Sequence, residues 1–149
     1  MKQQVEIVPM TKESAMLAAE LEKICFSAPW SYEMLCSEAE SAEGEFLCAF
    51  VGGEFAGYAG MLCVLDEGQI CNVAVCPHFR RMGVGEALME AQRSAGLARG
   101  LCVMMLEVRA SNAPAQRLYE KLGWEKVGVR KNFYSSPRED GVLYNLYLS

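Results

Sequence analysis

The stretch R-R-M-G-V-G at residues 80–85, called the glycine loop below, constrains the fold more than any other part of the chain. It follows an apolar run at 69–76, and after it apolar residues recur at helical spacing. The sequence therefore predicts a strand, a glycine loop and a helix over 83–98. Because a helix N-terminus carries unpaired N–H groups and positive potential, we expect this loop to suit a phosphate.

Two familiar phosphate-binding patterns do not match the glycine loop. A Walker loop needs Lys and then Ser or Thr after its last glycine, whereas Glu86 follows Gly85. The dinucleotide fingerprint needs a third glycine where this chain has Leu88. A strand-to-helix turn that binds no ligand remains an alternative at this point.

The segments around the glycine loop predict a mixed sheet with helices on its faces. A helix over 11–26 has Met16, Leu17, Leu21 and Ile24 at helical spacing. The run 101–110 is apolar and lies between two predicted helices, so we expect a central strand covered on both faces. Further strands are predicted at 4–9, 45–51, 54–65, 124–134 and 141–149, and further helices within 27–41, where Ser31 is the expected N-cap, and at 112–123. This alternation indicates an α/β fold.

Composition excludes several classes of protein. Of the 149 residues, 52% are hydrophobic and 22% charged, with a formal net charge of −5. That charge argues against broad nucleic-acid binding. The N-terminus lacks the apolar segment of a secretory signal, and the longest apolar runs have the length of strands. We therefore expect one domain over residues 1–149, in the cytoplasm and without membrane contact.

The seven cysteines predict neither a disulfide framework nor a metal site. They contain no C-x-x-C pair, their number is odd, and the chain has a single histidine. Most lie in apolar segments of the sequence, so we expect buried, reduced thiols. A Cys76–His78 nucleophile is disfavoured because no orienting partner is evident.

Two residues after the glycine loop could carry acid–base chemistry. Glu107 lies inside the apolar run 101–110, where a carboxylate is unexpected. It is either a strand-end charge, paired with Arg109 or exposed at an edge, or a general base. Tyr119 lies in the predicted helix 112–123 and is either a core aromatic residue or a proton donor, since a phenol is protonated at neutral pH. Asn112 is the expected cap of that helix.

The motif R-x-x-G-x-G directly after N-V-A-V-C-P resembles the acetyl-CoA pyrophosphate loop of the GCN5-related N-acetyltransferase superfamily. The resemblance implies a mixed, mostly antiparallel sheet with a splayed central strand pair and helices on both faces. It implies that the main chain of the strand before the loop holds the pantetheine and that the loop wraps the pyrophosphate. The implied contacts are Val73, Ala74, Val75, Arg80, Arg81, Met82, Gly83, Val84, Gly85, Glu86 and Asn112. Glu86 departs from the family, which often has a basic or neutral residue there, and its carboxylate is expected to point away.

The segments L-E-V-R-A-S-N, L-Y-E-K-L-G and R-K-N-F-Y resemble the bacterial ribosomal-protein alanine N-acetyltransferase group. This resemblance implies Glu107 as the base and Tyr119 as the acid. It implies a ribosomal-protein N-terminus as the acceptor, entering between 27–34 and 131–139, and a monomer is expected. Phe133 and Gly141 depart from the group's pattern. Acetylation of a small amine and a non-catalytic acyl-CoA-binding module remain alternatives.

Overall fold

The computed structural model describes residues 4–148, and within them seven strands form one sheet in the order β1-β2-β3-β4-β5-β7-β6. The strands are β1 Val5–Pro9, β2 Gly44–Val51, β3 Glu54–Val64, β4 Glu67–Val75, β5 Val103–Arg109, β6 Glu125–Tyr134 and β7 Glu139–Tyr147. The helices are α1 Lys12–Cys25, α2 Tyr32–Glu40, α3 Val84–Arg99 and α4 Ala113–Lys121. Ser149, where the predicted last strand ends, lies outside the described residues.

Side-chain caps fix where three of the helices begin. Thr11 forms a capping box with Ser14 at the start of α1. Ser31 Oγ accepts a hydrogen bond from the Met34 amide at 3.1 Å, which confirms the predicted cap of α2. None of the helices within residues 4–148 is long and apolar enough to cross a membrane.

The helices cover the sheet in two layers. Helices α1 and α2 pack on one face, in a core cluster that includes Phe46, Tyr58 and Ala74. Helices α3 and α4 cover the other face, where Leu88 and Met89 of α3 are fully buried. The expected arrangement of helices on both faces is therefore confirmed.

The buried face of α1 differs from the predicted one. Met16, Leu17 and Ile24 are 60%, 47% and 66% exposed, although they keep helical spacing. The buried face consists of Ser14, Ala15, Ala18, Ala19, Leu21 and Glu22. Small side chains let α1 lie close against the sheet, and of the four predicted apolar residues only Leu21 is buried.

Strands β4 and β5 pair over only three residues and then separate. Their parallel register joins Glu67–Gln69 to Val103–Met105. A bulge at Cys71 then interrupts the pairing of β4 with β3 on its other side. The expected splayed central pair is thus present, and the gap between the two strands opens toward the C-terminal end of each.

Strand β5 is central, but its two faces are covered unequally. Met104, Leu106 and Val108 are buried in the cluster that contains Met89 of α3 and Tyr119 of α4. The alternate positions, 103, 105, 107 and 109, are only half-buried. The prediction of a strand buried on both faces is therefore wrong for the face of Glu107, which lines a cavity.

Candidate active site

A cavity of about 560 Å³, called the candidate cavity below, lies where β4 and β5 separate. Its walls come from four segments and two further residues: Cys25–Trp30 at the end of α1 and after it, Gln69–Val73, Leu106–Arg109, Phe133–Ser135, and Asn112 and Tyr119. Four of the residues singled out in the sequence therefore share it: Val73, Glu107, Asn112 and Tyr119. The segments predicted to flank an acceptor, 27–34 and 131–139, also contribute.

Glu107 enters the cavity with one carboxylate oxygen unpaired. Its side chain is 17% exposed, and its Oε1 lies 3.6 Å from Nη1 of Arg130. Its Oε2 is buried and has no hydrogen-bond partner among residues 4–148. The alternative pairing with Arg109 is wrong, because Arg109 binds Glu139 instead. A buried carboxylate oxygen without a donor is costly, and such groups are often functional.

Tyr119 is both a core aromatic residue and a cavity residue. It is 7% exposed, and its ring lies 6.1 Å from the rings of Trp124 and Tyr144. Burial raises the pKa of the Tyr119 phenol to about 12, with a smaller contribution from Tyr134. The phenol therefore keeps its proton at neutral pH and can donate a hydrogen bond.

Glu107 and Tyr119 approach the gap from opposite faces of the sheet. Residues 104, 106 and 108 point toward α3 and α4, so Glu107 points toward the side of α1 and α2. Tyr119 is on α4, on the other side. A reactant that passes through the gap between β4 and β5 would contact the carboxylate from one side and the phenol from the other.

Asn112 performs its predicted structural role and also reaches the cavity. Its Oδ1 accepts a hydrogen bond from the Ala115 amide at 3.3 Å and caps α4. Because the cap uses only the oxygen, the side-chain nitrogen remains available as a donor on the cavity side.

The glycine loop leads into α3 through residues in the left-handed conformation. Gly83 is the N-cap of α3 with φ +82°, and Arg81 has φ +65°. The backbone conformation at Gly83 therefore favours glycine, although a Cβ there would meet nothing within 4 Å. A Cβ at Gly85 would meet Leu118 at an ordinary 3.4 Å. The first amides of α3 have no acceptor within the helix, so they are available to an anion.

Three side chains in or next to the glycine loop have partners elsewhere in the fold. Val84, the first residue of α3, is 1% exposed and packs in the core cluster that contains Leu88. Arg80 Nε donates to the Val75 carbonyl at 3.3 Å. The Glu86 carboxylate binds Lys121 Nζ of α4 at 2.8 Å, so a cation partly offsets its charge at the start of α3. Arg81 and Met82 are exposed.

The side chains of the predicted pantetheine edge are largely committed to the core. Ala74 is 3% exposed and packs in the cluster under α1, while Val73 and Val75 pack against the cluster under α3. A ligand at this edge would therefore contact mainly the backbone of β4.

A buried carboxylate that the sequence analysis missed lies behind the cavity. Glu22 of α1 is fully buried, and its Oε2 accepts hydrogen bonds from Tyr58 Oη at 2.5 Å and Asn72 Nδ2 at 3.0 Å. Its Oε1 accepts from the Trp30 amide at 2.8 Å. The signal in the sequence is its position beside Ala18 and Ala19, where a glutamate on the buried face needs partners.

Arg109 pairs with Glu139 and not with Glu107, the alternative left open above, and it organises another wall of the cavity. Its guanidinium donates to the carbonyls of Ser135 and Pro137 at 3.2 and 3.0 Å and pairs with Glu139 at 3.2 Å. It also stacks over the Tyr134 ring, 4.5 Å from the centroid. These contacts fix the β6–β7 turn, residues 135–138, beside the cavity.

The thiols that line the cavity are poor nucleophiles. Burial raises the pKa of Cys25, and it raises the pKa of Cys71 to about 11. All seven cysteines are free, but only Cys48 and Cys63 are buried. Four others are half-buried and Cys102 is exposed, so the expectation of buried thiols holds only in part. His78 is exposed, and its ring meets that of Phe79 edge to face. No group of His, Cys, Asp and Glu within residues 4–148 could hold a metal ion.

Comparison with known proteins identifies the family. The model of the acetyltransferase (GNAT) family matches residues 16–124. The ribosomal protein bS18-alanine N-acetyltransferase of Escherichia coli K12 is 36% identical over 137 residues, which are 89% of this chain and 90% of the relative. The enzyme of that name from Haemophilus ducreyi is 34% identical over 132 residues, 87% and 90% of the two chains.

The chain belongs to the acetyltransferase (GNAT) family. A solved structure supports this assignment: the E. coli ribosomal-protein-S18-alanine N-acetyltransferase superposes with a TM-score of 0.88 at 32% identity, covering 98% of this chain and 95% of that one. The resemblance drawn from the glycine loop and from L-E-V-R-A-S-N is thereby confirmed. Members of this family use acetyl-CoA as co-substrate.

Proposed function

We propose that the protein transfers the acetyl group of acetyl-CoA to the N-terminal α-amino group of a protein, specifically the N-terminal alanine of ribosomal protein bS18. The relatives of that name cover most of the chain, which supports the acceptor class. The observation that carries the chemistry is the unpaired Oε2 of Glu107 in a cavity that also contains the protonated phenol of Tyr119.

Acetyl-CoA, when bound, supplies an activated thioester, and the chain offers main-chain donors to hold it. The amides of 81–86 would take the pyrophosphate, since the start of α3 carries unpaired N–H groups. The backbone of 73–75 would take the pantetheine, because β4 has separated from β5 there. Asn112 Nδ2 is placed to donate to the same ligand.

Glu107 acts as the general base toward the acceptor. An ammonium group has no lone pair, so it must lose a proton before it attacks a carbonyl carbon. A model α-amino group has a pKa of about 7.7–8.0, so a carboxylate acting directly or through one water is sufficient. The attack is direct, because Cys25 and Cys71 keep their protons and are poor nucleophiles.

Tyr119 acts as the general acid toward the departing sulfur. When the thioester C–S bond breaks, the thiolate takes up a proton, and the phenol can supply it. Burial keeps that proton on Tyr119 through neutral pH. Because Glu107 and Tyr119 approach from opposite faces, the two proton transfers occur at separate positions. Glu107 takes a proton from the amine, and Tyr119 gives its own proton to the sulfur.

The acceptor N-terminus enters between 27–34 and 131–139, and residues of both segments line the candidate cavity, which supports this path. The protein is proposed to act as a single-domain monomer in the cytoplasm, where ribosomal proteins are made.

A panel of acceptors tests this function. The purified protein should acetylate a hexapeptide that begins with alanine far faster than a polyamine or an aminoglycoside. Mass spectrometry of protein N-termini from cells that lack the gene should show bS18 without its acetyl group. Faster turnover of the free amines would indicate a small-molecule acetyltransferase. CoA binding without turnover of any acceptor would indicate a non-catalytic module.

A further inference from the structure

The buried carboxylate of Glu22 determines which end of the Asn72 amide faces the candidate cavity. An ionised carboxylate only accepts hydrogen bonds. Three donors surround Glu22, namely Tyr58 Oη, Asn72 Nδ2 and the Trp30 amide, and among residues 4–148 it forms no salt bridge. The Asn72 nitrogen must therefore face Glu22, and its carbonyl oxygen must point elsewhere.

That oxygen is open to the cavity. Asn72 lines the cavity directly after the bulge at Cys71, in the part of β4 that no longer pairs with β5. Among residues 4–148, no hydrogen bond reaches Asn72 Oδ1, and the atom is not sealed in the core. A fixed acceptor without a donor therefore faces the cavity.

Asn72 and Glu107 face the same space. Asn72 points toward α1, where it meets Glu22. Glu107 also points to the α1 and α2 side of the sheet, because its neighbours at 106 and 108 pack under α3 and α4. Two hydrogen-bond acceptors, one from each splayed strand, thus lie on the α1 and α2 side of the gap, where the substrate amine is proposed to enter. An ammonium or amine group, which carries several N–H donors, matches this pair.

We propose that Asn72 Oδ1 accepts a hydrogen bond from the amino group of the acceptor, and that Glu22 is the positioning residue that orients it. This inference rests on the proposed function only in taking the acceptor to be a primary amine. Asn72 forms no covalent bond and moves no proton. It holds the nitrogen in place beside Glu107, so its loss affects binding of the acceptor and leaves binding of acetyl-CoA unchanged.

Steady-state kinetics with a hexapeptide that begins with alanine test the proposal. Asn72→Ala should raise the peptide KM about tenfold, the usual cost of one lost hydrogen bond, and change the acetyl-CoA KM less than about twofold. Asn145→Ala is the matched control, since it removes a side-chain amide of β7 that binds Tyr147 Oη and does not line the cavity. The control should leave the peptide KM unchanged.

Glu22→Gln tests the orienting role. The glutamine oxygen can keep the Trp30 amide, and its nitrogen then faces Asn72, so the Asn72 amide turns and presents a donor to the cavity. We expect a rise in peptide KM like that of Asn72→Ala, and no further rise in the double variant. If Glu22→Gln does not fold, hydrogen exchange of the Asn72 side-chain NH₂ in the native protein replaces it. Slow exchange supports the orientation, and rapid exchange would overturn it.

The outcomes separate this inference from the proposed function. A peptide KM that Asn72→Ala leaves unchanged, or an equal rise for Asn145→Ala, would overturn the inference while the function stands. A KM increase for acetyl-CoA instead of the peptide would place Asn72 at the co-substrate and also overturn it. If the native protein acetylates only free amines, the proposed function fails. The ratios of variant to native KM, measured with the free amine in place of the peptide, then decide the inference. They can do so because Asn72 is proposed to bind the amino group itself.

Discussion

The two sides of the gap between β4 and β5 are built differently. The side under α3 and α4 offers mainly main chain: the glycine loop, the start of α3 and the backbone of β4. The side under α1 and α2 is built from side chains that are distant in sequence, such as Glu22, Asn72 and Glu107. The first side suits a co-substrate that is always the same, and the second can be adapted to one acceptor.

Replacement of the proposed base should give the largest effect. Glu107→Gln keeps the shape of the side chain but removes the basic oxygen, so kcat should fall about 10²- to 10⁴-fold. The affinity for CoA, measured by calorimetry, should change less than about twofold. Glu90→Gln, an exposed position on α3, is the control and should leave kcat unchanged. A fully active Glu107→Gln protein would remove Glu107 from the mechanism.

Loss of the proposed acid should have a smaller effect. Tyr119→Phe keeps the ring that packs on Trp124 and Tyr144 but removes the proton donor. Because a thiolate is a fair leaving group, we expect kcat to fall about tenfold to a hundredfold. Tyr144→Phe is the matched control: it removes a buried hydroxyl that binds Glu120 at 2.7 Å outside the cavity. It should lower stability and not kcat, and equal losses in kcat would contradict the account.

The main-chain side predicts an effect on co-substrate binding alone. Gly83→Ala puts a Cβ on a left-handed residue, which costs about 1–2 kcal/mol of stability and should weaken CoA binding about tenfold. Gly100→Ala at the other end of α3 has the same left-handed conformation, with φ +78° and open space. Both variants should lose similar stability in thermal unfolding. Weaker CoA binding in both would show that strain in α3, and not the loop, is responsible.

The acceptor wall formed by the β6–β7 turn should respond more weakly. Arg109→Lys keeps the charge but loses the fork that holds Ser135 and Pro137, so the peptide KM should rise about threefold. Arg99→Lys is the control, because Arg99 holds Glu45, Ala42 and Gly44 in a similar way away from the cavity. A change in peptide KM for Arg99→Lys of the same size would contradict the role of this turn.

The rate at saturating substrate should be almost insensitive to alkaline pH. Burial raises the pKa of Tyr119 from about 10 to about 12, so the proton that it donates is still present at pH 10. We therefore expect kcat to stay level from about pH 8.5 to pH 10 in initial-rate measurements. A decline in that range that Tyr119→Phe abolishes would contradict the raised pKa.

The sequence predicted the main-chain side better than the side-chain side. The glycine loop, its helix and the caps at Ser31 and Asn112 are local patterns of a few residues, so they can be recognised without the fold. Glu107 and Tyr119 were found because a carboxylate in an apolar strand is unusual and because the family resemblance supported both. Their shared cavity was not evident from spacing alone.

The partners of Glu22 and Arg109 escaped prediction because they are distant in the sequence. Glu22 reaches Asn72 across 50 residues, and Arg109 reaches Glu139 across 30. Pairing of Arg109 with Glu107, its neighbour on the same face of β5, was one alternative that the sequence left open. In the structure Arg109 pairs with Glu139 of β7 instead, and Oε2 of Glu107 has no donor.

A crystal structure with CoA covalently linked to an alanine peptide would test the central claim most directly. The account predicts the pyrophosphate on the amides of 81–86 and the linked nitrogen within hydrogen-bond reach of Glu107, directly or through one water. The sulfur should lie on the side of Tyr119. A nucleotide bound elsewhere, or a Glu107 carboxylate that faces bulk solvent far from the linked nitrogen, would contradict it.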